Sequence, residues 1–165
     1  MLHLYDRNKN KIAPLTNVKD VRVEKELNGD SSLLFSYPIT GQYYDEIVEE
    51  SYIRTRENEY IVKEIHELDE WTEFKCLLNV EDLEGKPFSH FEMVNSKIED
   101  TINTALAGTG WTVGYCDVTK RRTVRKAMCS SWDIIQDARN VYRCDVVFDT
   151  LNKKVNIYSK LGSDK

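Results

Sequence analysis

The sequence predicts an α+β fold, with an antiparallel β region first and helices only later. Three observations carry this. Over the first 80 residues, apolar side chains recur with period two in short runs broken by polar turns. After about residue 92 they recur at helical spacing in two places, each followed by a return to period two. The composition is that of a globular chain: 41% of 165 residues are hydrophobic and 31% charged, with five Phe, three Trp and nine Tyr spread along the length.

Residues 18–27 alternate, with Val21, Val23 and Leu27 on one side and Arg22, Glu24 and Glu26 on the other, as in a half-buried strand. Asn28-Gly29-Asp30 follows, and Asn-Gly supplies the positive φ angles of a tight hairpin. Its partner places Leu33, Phe35 and Tyr37 on one face, and Pro38, lacking an N–H, closes it. Residues 43–50 read as a short helix, with Tyr44, Ile47 and Val48 on one face and Asp45 and Glu46 in the first turns. Three strands are expected over 52–56, 59–66 and 71–78, so this region reads as an antiparallel meander able to curl into a barrel or half-barrel.

Ser96-Lys97-Ile98-Glu99 fits a capping box, Ile98, Ile102 and Leu106 share a helical face, and Gly108 offers a left-handed stop. Residues 111–115 and 123–127 are expected to pair as strands. The plan then repeats. Ser130 or Ser131 caps a helix to about residue 140, with Trp132, Ile135 and Ala138 on its apolar side. Residues 143–149 place Cys144, Val146 and Phe148 on one face, and residues 154–159 return beside them. The expected organisation is an incomplete barrel-like β domain over residues 1–92, an α+β lobe of two helix–strand–strand units over 93–161, and a linker over 162–165.

Charge is unevenly distributed. The net charge is −5, yet residues 41–100 carry six basic and seventeen acidic side chains, and residues 101–165 eleven and six. Such polarity can orient one subunit against another, while the acidic total opposes nucleic-acid binding. The basic cluster Lys120-Arg121-Arg122-Thr123-Val124-Arg125-Lys126 has no interleaved aromatic side chain and reads as an exposed turn. No run of 18 apolar residues exists to span a membrane, and the first residues show no apolar signal core.

The sequence offers little catalytic chemistry. It has no phosphate-cradling glycine loop, no His-Glu-x-x-His helix and no Gly-x-Ser-x-Gly turn. Cys76, Cys116, Cys129 and Cys144 contain no Cys-x-x-Cys pair and lie far from His3, His66 and His90, so no metal site is expected and buried free thiols are. Folding could bring Cys76 to His66 as a nucleophilic dyad, but a core thiol beside a surface imidazole is the simpler reading. No catalytic, cofactor-binding or metal-binding residue is assigned. Tyr43, Tyr44, Trp71 and Trp111 could form a carbohydrate platform, but are expected in the core or an interface.

The order of several phrases is more specific. These are Leu2-His3-Leu4-Tyr5-Asp6, Val23-Glu24-Lys25-Glu26-Leu27-Asn28-Gly29-Asp30-Ser31-Ser32-Leu33 with Tyr37-Pro38, and Gly108-Thr109-Gly110-Trp111-Thr112-Val113-Gly114. Ser131-Trp132-Asp133-Ile134-Ile135 and Phe148-Asp149 with Lys154-Val155-Asn156-Ile157-Tyr158 complete the set. Over nearly the whole chain they resemble the N-terminal region of phage minor tail proteins, the tail-associated, tube-closing hub proteins of the prophage endopeptidase-tail family.

The resemblance implies a structural component of the virion tail tip, made in the bacterial host cytoplasm. It implies a trimeric baseplate hub that closes the tail tube and attaches to the distal tail protein and other tail-tip proteins. No membrane partner, nucleic-acid partner or cofactor is expected. In that plan an α+β lobe is inserted into a barrel that later strands complete. The chain ends soon after the lobe, at Lys165, so it reads as a fragment, a truncated prophage product or an expressed piece of a larger protein. Some family members carry a hydrolase domain downstream, and no enzyme activity is expected of these residues. The alternative is a module of a tail-associated peptidoglycan hydrolase or a host-receptor-binding protein.

Overall fold

The computed structural model describes residues 1–85 and 87–159. The linker expected over 162–165 lies outside the described residues. The strands are β1 (Leu2–Tyr5), β2 (Lys11–Leu15), β3 (Lys19–Lys25), β4 (Ser31–Pro38), β5 (Tyr52–Arg54), β6 (Glu59–Glu67), β7 (Trp71–Leu78) and β8 (Pro87–Lys97). Helix α1 (Ile98–Leu106) precedes β9 (Thr112–Cys116) and β10 (Arg121–Ser130), and helix α2 (Ser131–Tyr142) precedes β11 (Asp145–Asp149) and β12 (Lys154–Tyr158). The fold class is α+β, mostly antiparallel, with a curled half-barrel sheet and two helices. The chain groups into two compact units. One holds Met1–Glu26 and Asp30–Asn79, and the other holds Leu27–Gly29 and everything described from Val80 on.

The first unit is one seven-stranded sheet in the order β2-β1-β5-β6-β7-β4-β3, with every neighbour antiparallel. It is therefore not a simple meander. Only β5–β6–β7 follow in sequence, and hairpins β1–β2 and β3–β4 supply the opposite edges. Much of the core lies on one face, in cross-strand rows, with Ile61 and Leu34 buried on the other. Leu4, Ile53, Tyr60 and Leu78 form one row, and Val62, Cys76 and Leu33 form the next. Phe74 and Phe35 continue it, stacked at 5.2 Å. All of these side chains are buried.

Several local expectations change here. Strand β3 is exposed at all seven positions, not half-buried. Val23 pairs with Leu33 on the core side, but β3 is the last strand, so nothing covers Val23 or Val21, which stay 42% and 46% exposed. The β3–β4 connection is wider than a two-residue hairpin. The Glu26 N–H reaches the Asp30 carbonyl at 2.9 Å, and of Asn28 and Gly29 only Gly29 has a positive φ. The helix expected over 43–50 is a single 3-10 turn, Tyr44–Glu46. The Ser51 hydroxyl contacts both the Val48 N–H and the Glu46 carbonyl, local bonding that competes with a continuing helix. Strand β5 stops at Arg54 because the Thr55 hydroxyl accepts the N–H groups of Glu57 and Asn58 and starts a turn.

The second unit has a two-stranded ribbon, β10-β8, and a three-stranded sheet, β11-β12-β9, with β12 and β9 parallel. The helix–strand–strand order holds, but the expected pairing does not. Strand β10 leaves β9 and pairs with β8, a strand absent from the expectation, and β8 runs unbroken through residues 92 and 93. The cluster 120–126 consequently lies mostly on a strand, not at a turn. Helix α1 buries Ile98, Ile102 and Leu106 as expected, and Gly108 has a φ of +84. The capping box at Ser96 does not form. Lys97 stands at the N-cap without a side-chain bond, while Ser96 turns its hydroxyl to the Val94 carbonyl because β8 continues to Lys97.

Helix α2 does carry a capping box. The Ser130 hydroxyl accepts the Asp133 N–H at 3.2 Å, and the Asp133 carboxylate accepts the Ser130 N–H at 3.0 Å. Ser130→Ala should lower unfolding free energy by about 1 kcal/mol in urea titrations followed by Trp fluorescence, with no change in the native spectrum. Cys144, Val146 and Phe148 are all buried on one side of the three-stranded sheet. Ser131 donates 2.7 Å to the Ala105 carbonyl, which ties α2 to α1.

Candidate functional site

The dyad that folding could have assembled is not assembled. Cys76 is fully buried on β7 between Val62 and Leu33 in the cross-strand register, and burial pushes its thiol far above the range where thiolate forms. His66 is exposed near the far end of β6, opposite Glu73, with its Nε2 3.1 Å from Glu64. All four cysteines are free. Burial raises Cys116 and pushes Cys144 up to about 11. Among the described residues, no group of three or more His, Cys, Asp or Glu is placed to hold a metal ion.

Three of the four aromatic candidates, Tyr44, Trp71 and Trp111, are engaged by neighbouring side chains. Trp111 is buried edge-on to Phe148, with its indole N–H 3.4 Å from Asp82. The Tyr44 hydroxyl meets the Thr72 hydroxyl at 2.8 Å, and its ring lies against Phe74. Trp71 is half-buried beneath the Lys19 ammonium, 4.0 Å from the ring centre. Tyr43 is half-buried, and its backbone N–H donates to the Tyr37 hydroxyl at 3.4 Å, a contact that does not engage its ring.

What remains exposed is strand edge and charge, the equipment of an assembly surface. The half-barrel ends at β2 and β3 without closing on itself. An unpaired edge offers N–H and C=O groups to another strand, and both edges here are partly blunted. Pro14 removes one donor from β2. In β3 a bulge lies between Lys19 and Arg22, with Asp20 at a φ of +54. Arg22 spreads toward Glu73 at 3.4 Å and Glu24 at 3.9 Å.

The β8–β10 ribbon carries the basic cluster. Arg125 is matched across the ladder by Glu92 at 2.7 Å. Arg121 faces Lys97 instead. Sequence reasoning missed this surface because it treated the cluster as a turn. The strand over 123–127 was visible, but no local pattern names β8 as its partner.

The fold has known counterparts. The family model for the prophage endopeptidase tail N-terminal domain matches residues 2–76, and that for the prophage endopeptidase tail domain matches residues 87–157. Among solved structures, the chain is similar to the prophage tail protein gp18 of Listeria monocytogenes EGD-e. The identity is 16% and the TM-score 0.70, over 94% of this chain and 49% of that one. It is also similar to a tail protein of Neisseria meningitidis MC58, with 7% identity and a TM-score of 0.63 over 94% and 50% of the two chains. A 43 kDa tail protein of prophage MuSo2 from Shewanella oneidensis gives 13% identity and a TM-score of 0.58 over 95% and 54%. At these identities the likeness is one of fold, and the chain spans about half the length of each of the three. No curated protein matches the chain.

Proposed function

The chain belongs to the prophage endopeptidase tail family of phage tail proteins, and on that premise we propose that it is part of the baseplate hub at the tail tip. In this reading, three copies of the full-length protein form a ring that closes the tail tube and attaches to the distal tail protein. The observation that carries the reading is the open half-barrel. A seven-stranded sheet with a fully exposed terminal strand, and with Val21 and Val23 uncovered on its core side, is built to receive further strands or neighbouring copies.

The work is structural. With Cys76 sealed in the core and His66 at the surface, these residues supply no nucleophile–base pair. Any hydrolase activity belongs to other domains of the full-length protein. The site of action is the virion tail tip, after synthesis in the host cytoplasm.

Gold-labelled antibody raised against the chain should decorate one end of the tail on intact particles. Labelling along the tail's length, or none, would overturn the hub assignment. Peptidoglycan zymography of the chain should show no cleared band. A band abolished by Cys76→Ala or His66→Ala would make it a hydrolase module instead.

A further inference from the structure

The β8–β10 ribbon ends in an electrostatic conflict. Arg121 lies directly opposite Lys97, and Arg122 opposite Ser96. Like charges facing each other across a ladder destabilise it, and no carboxylate among the described residues pairs with these three cations. Arg121 donates to the Asn95 carbonyl at 3.0 Å, and Arg122 to the Arg121 carbonyl at 2.7 Å. Arg125, a turn of the pleat away, does have its Glu92. The strand neutralises one arginine and leaves the others facing solvent.

The cluster is also held in place. The buried Tyr142 hydroxyl bonds the carbonyls of Ser96 and Arg122, fixing both strands behind it. The Asn95 N–H donates to the Thr123 hydroxyl at 3.0 Å, beside a bulge between Arg122 and Val124 that breaks the alternation. Val94, next to the cations, is 56% exposed. Arg121 and Lys97 thus share one face of the ribbon end, and Arg122 stands on the other.

The β6–β7 turn presents the same composition with opposite sign. Glu67, Leu68, Asp69 and Glu70 are consecutive and all exposed, Leu68 by 65%. None of the three carboxylates has a cation partner among the described residues. The turn is held by the Leu68 N–H on the Trp71 carbonyl at 3.0 Å and the Ile39 N–H on the Glu70 carbonyl at 3.1 Å.

We propose that the ribbon end of one copy docks on the β6–β7 turn of a second copy, with Arg121 and Lys97, which share a face, against Glu67, Asp69 and Glu70, and Arg122 adding positive charge at the rim. Because the two patches differ, the contact is heterologous, and repeating it gives a ring where the rotation closes, as the hub reading requires. It rests on the hub reading and names the surfaces that would join its subunits. A nucleic-acid occupant is disfavoured by the chain's net charge of −5.

Sedimentation of the full chain at low and high salt tests this, with circular dichroism confirming that each variant is folded. Self-association should be present at about 0.05 M salt and largely lost at about 0.5 M, where screening shortens the field to a few ångströms. R121E/R122E and D69K/E70K should each weaken it at least about tenfold. Mixing the two variants should restore pairwise association, because each reversed patch then meets a complementary one, while a three-copy ring of the two keeps one mismatched junction. The proposal is overturned if the chain does not associate at low salt, if either reversal leaves association unchanged, or if the mixture stays apart. Retention on duplex DNA that R121E/R122E abolishes, without chain–chain association, would also overturn it by giving the patch to nucleic acid. None of these outcomes bears on the antibody-labelling result, so this proposal and the hub assignment can fail separately.

Discussion

Tyr142→Ala is expected to lower the unfolding free energy of the second unit by about 3–5 kcal/mol, the range for deleting a large buried aromatic. Tyr142 is fully buried at the last turn of α2. Its ring fills core volume, and its hydroxyl contacts the carbonyls of Ser96 on β8 and Arg122 on β10 and the Thr101 hydroxyl on α1. One side chain therefore joins both helices and both ribbon strands. Tyr142→Phe separates the two contributions. It keeps the ring and removes the donor from two carbonyls, which should account for about 1–3 kcal/mol of the loss. Trp111 and Trp132 both lie in the second unit, so a Trp71→Phe background makes its fluorescence transition readable alone. A loss below about 1 kcal/mol for Tyr142→Ala would mean that the ribbon is held by its own ladder and not by this anchor.

The elements that sequence reasoning found mostly repeat their apolar residues at the period of their geometry. Strand β7 buries alternate residues, and both helices bury one face. Strand β4 shows itself by Leu33, Phe35 and Tyr37 on one face, and β6 by its aromatic and β-branched residues, although both bury consecutive positions. What it missed has physical causes of three kinds. Strand β2 carries Pro14, which speaks against a strand except at an edge, where β2 lies. Strand β8 is interrupted by the left-handed Asn95, so its pattern loses phase. The pairing of β10 with β8 spans a helix and another strand, and no local pattern encodes a partner that distant.

The candidate surface was half legible for the same reason. The charges of Lys120 to Lys126 were plain in the sequence. That Arg121 faces Lys97 follows only from register. Strand β3 alternates cleanly, but alternation says which face is apolar, not whether anything covers it. Only sheet order places β3 last and leaves Val21 and Val23 in solvent.

The first unit is expected to lose stability in acid through Glu59, and Glu59→Gln should remove most of that dependence. The Glu59 side chain is 6% exposed. One carboxylate oxygen accepts the Arg54 Nε at 2.8 Å, and the other accepts the Asn79 amide at 2.6 Å and the Lys9 ammonium at 3.3 Å. Burial alone would raise its pKa. Hydrogen bonds from Asn79 and Arg54 and the charge of Lys9 outweigh burial and hold it below the usual value of 4.5. A depressed folded pKa means the unfolded chain takes up the proton first. The stabilisation is therefore complete above about pH 5 and disappears as the pH falls through the folded value. The contacts also clamp the β1–β2 turn, because Lys9 sits in that turn with a φ of +64.

Glutamine keeps the shape but turns an amide N–H toward donors already present. At pH 7, Glu59→Gln should therefore lower stability by about 2 kcal/mol. That is below the full value for breaking a buried pair, since Arg54 and Lys9 remain 35% and 40% exposed and regain water. Asp6 also titrates below its usual range, held there by the N–H groups of Asn10 and Asn8, so the wild-type acid limb mixes both groups. The difference between wild type and Glu59→Gln, followed by urea unfolding from pH 7 to pH 3, cancels the Asp6 contribution. It should shrink toward zero as the pH falls. A difference that stays constant across that range would assign the loss to the introduced amide N–H and not to the missing charge.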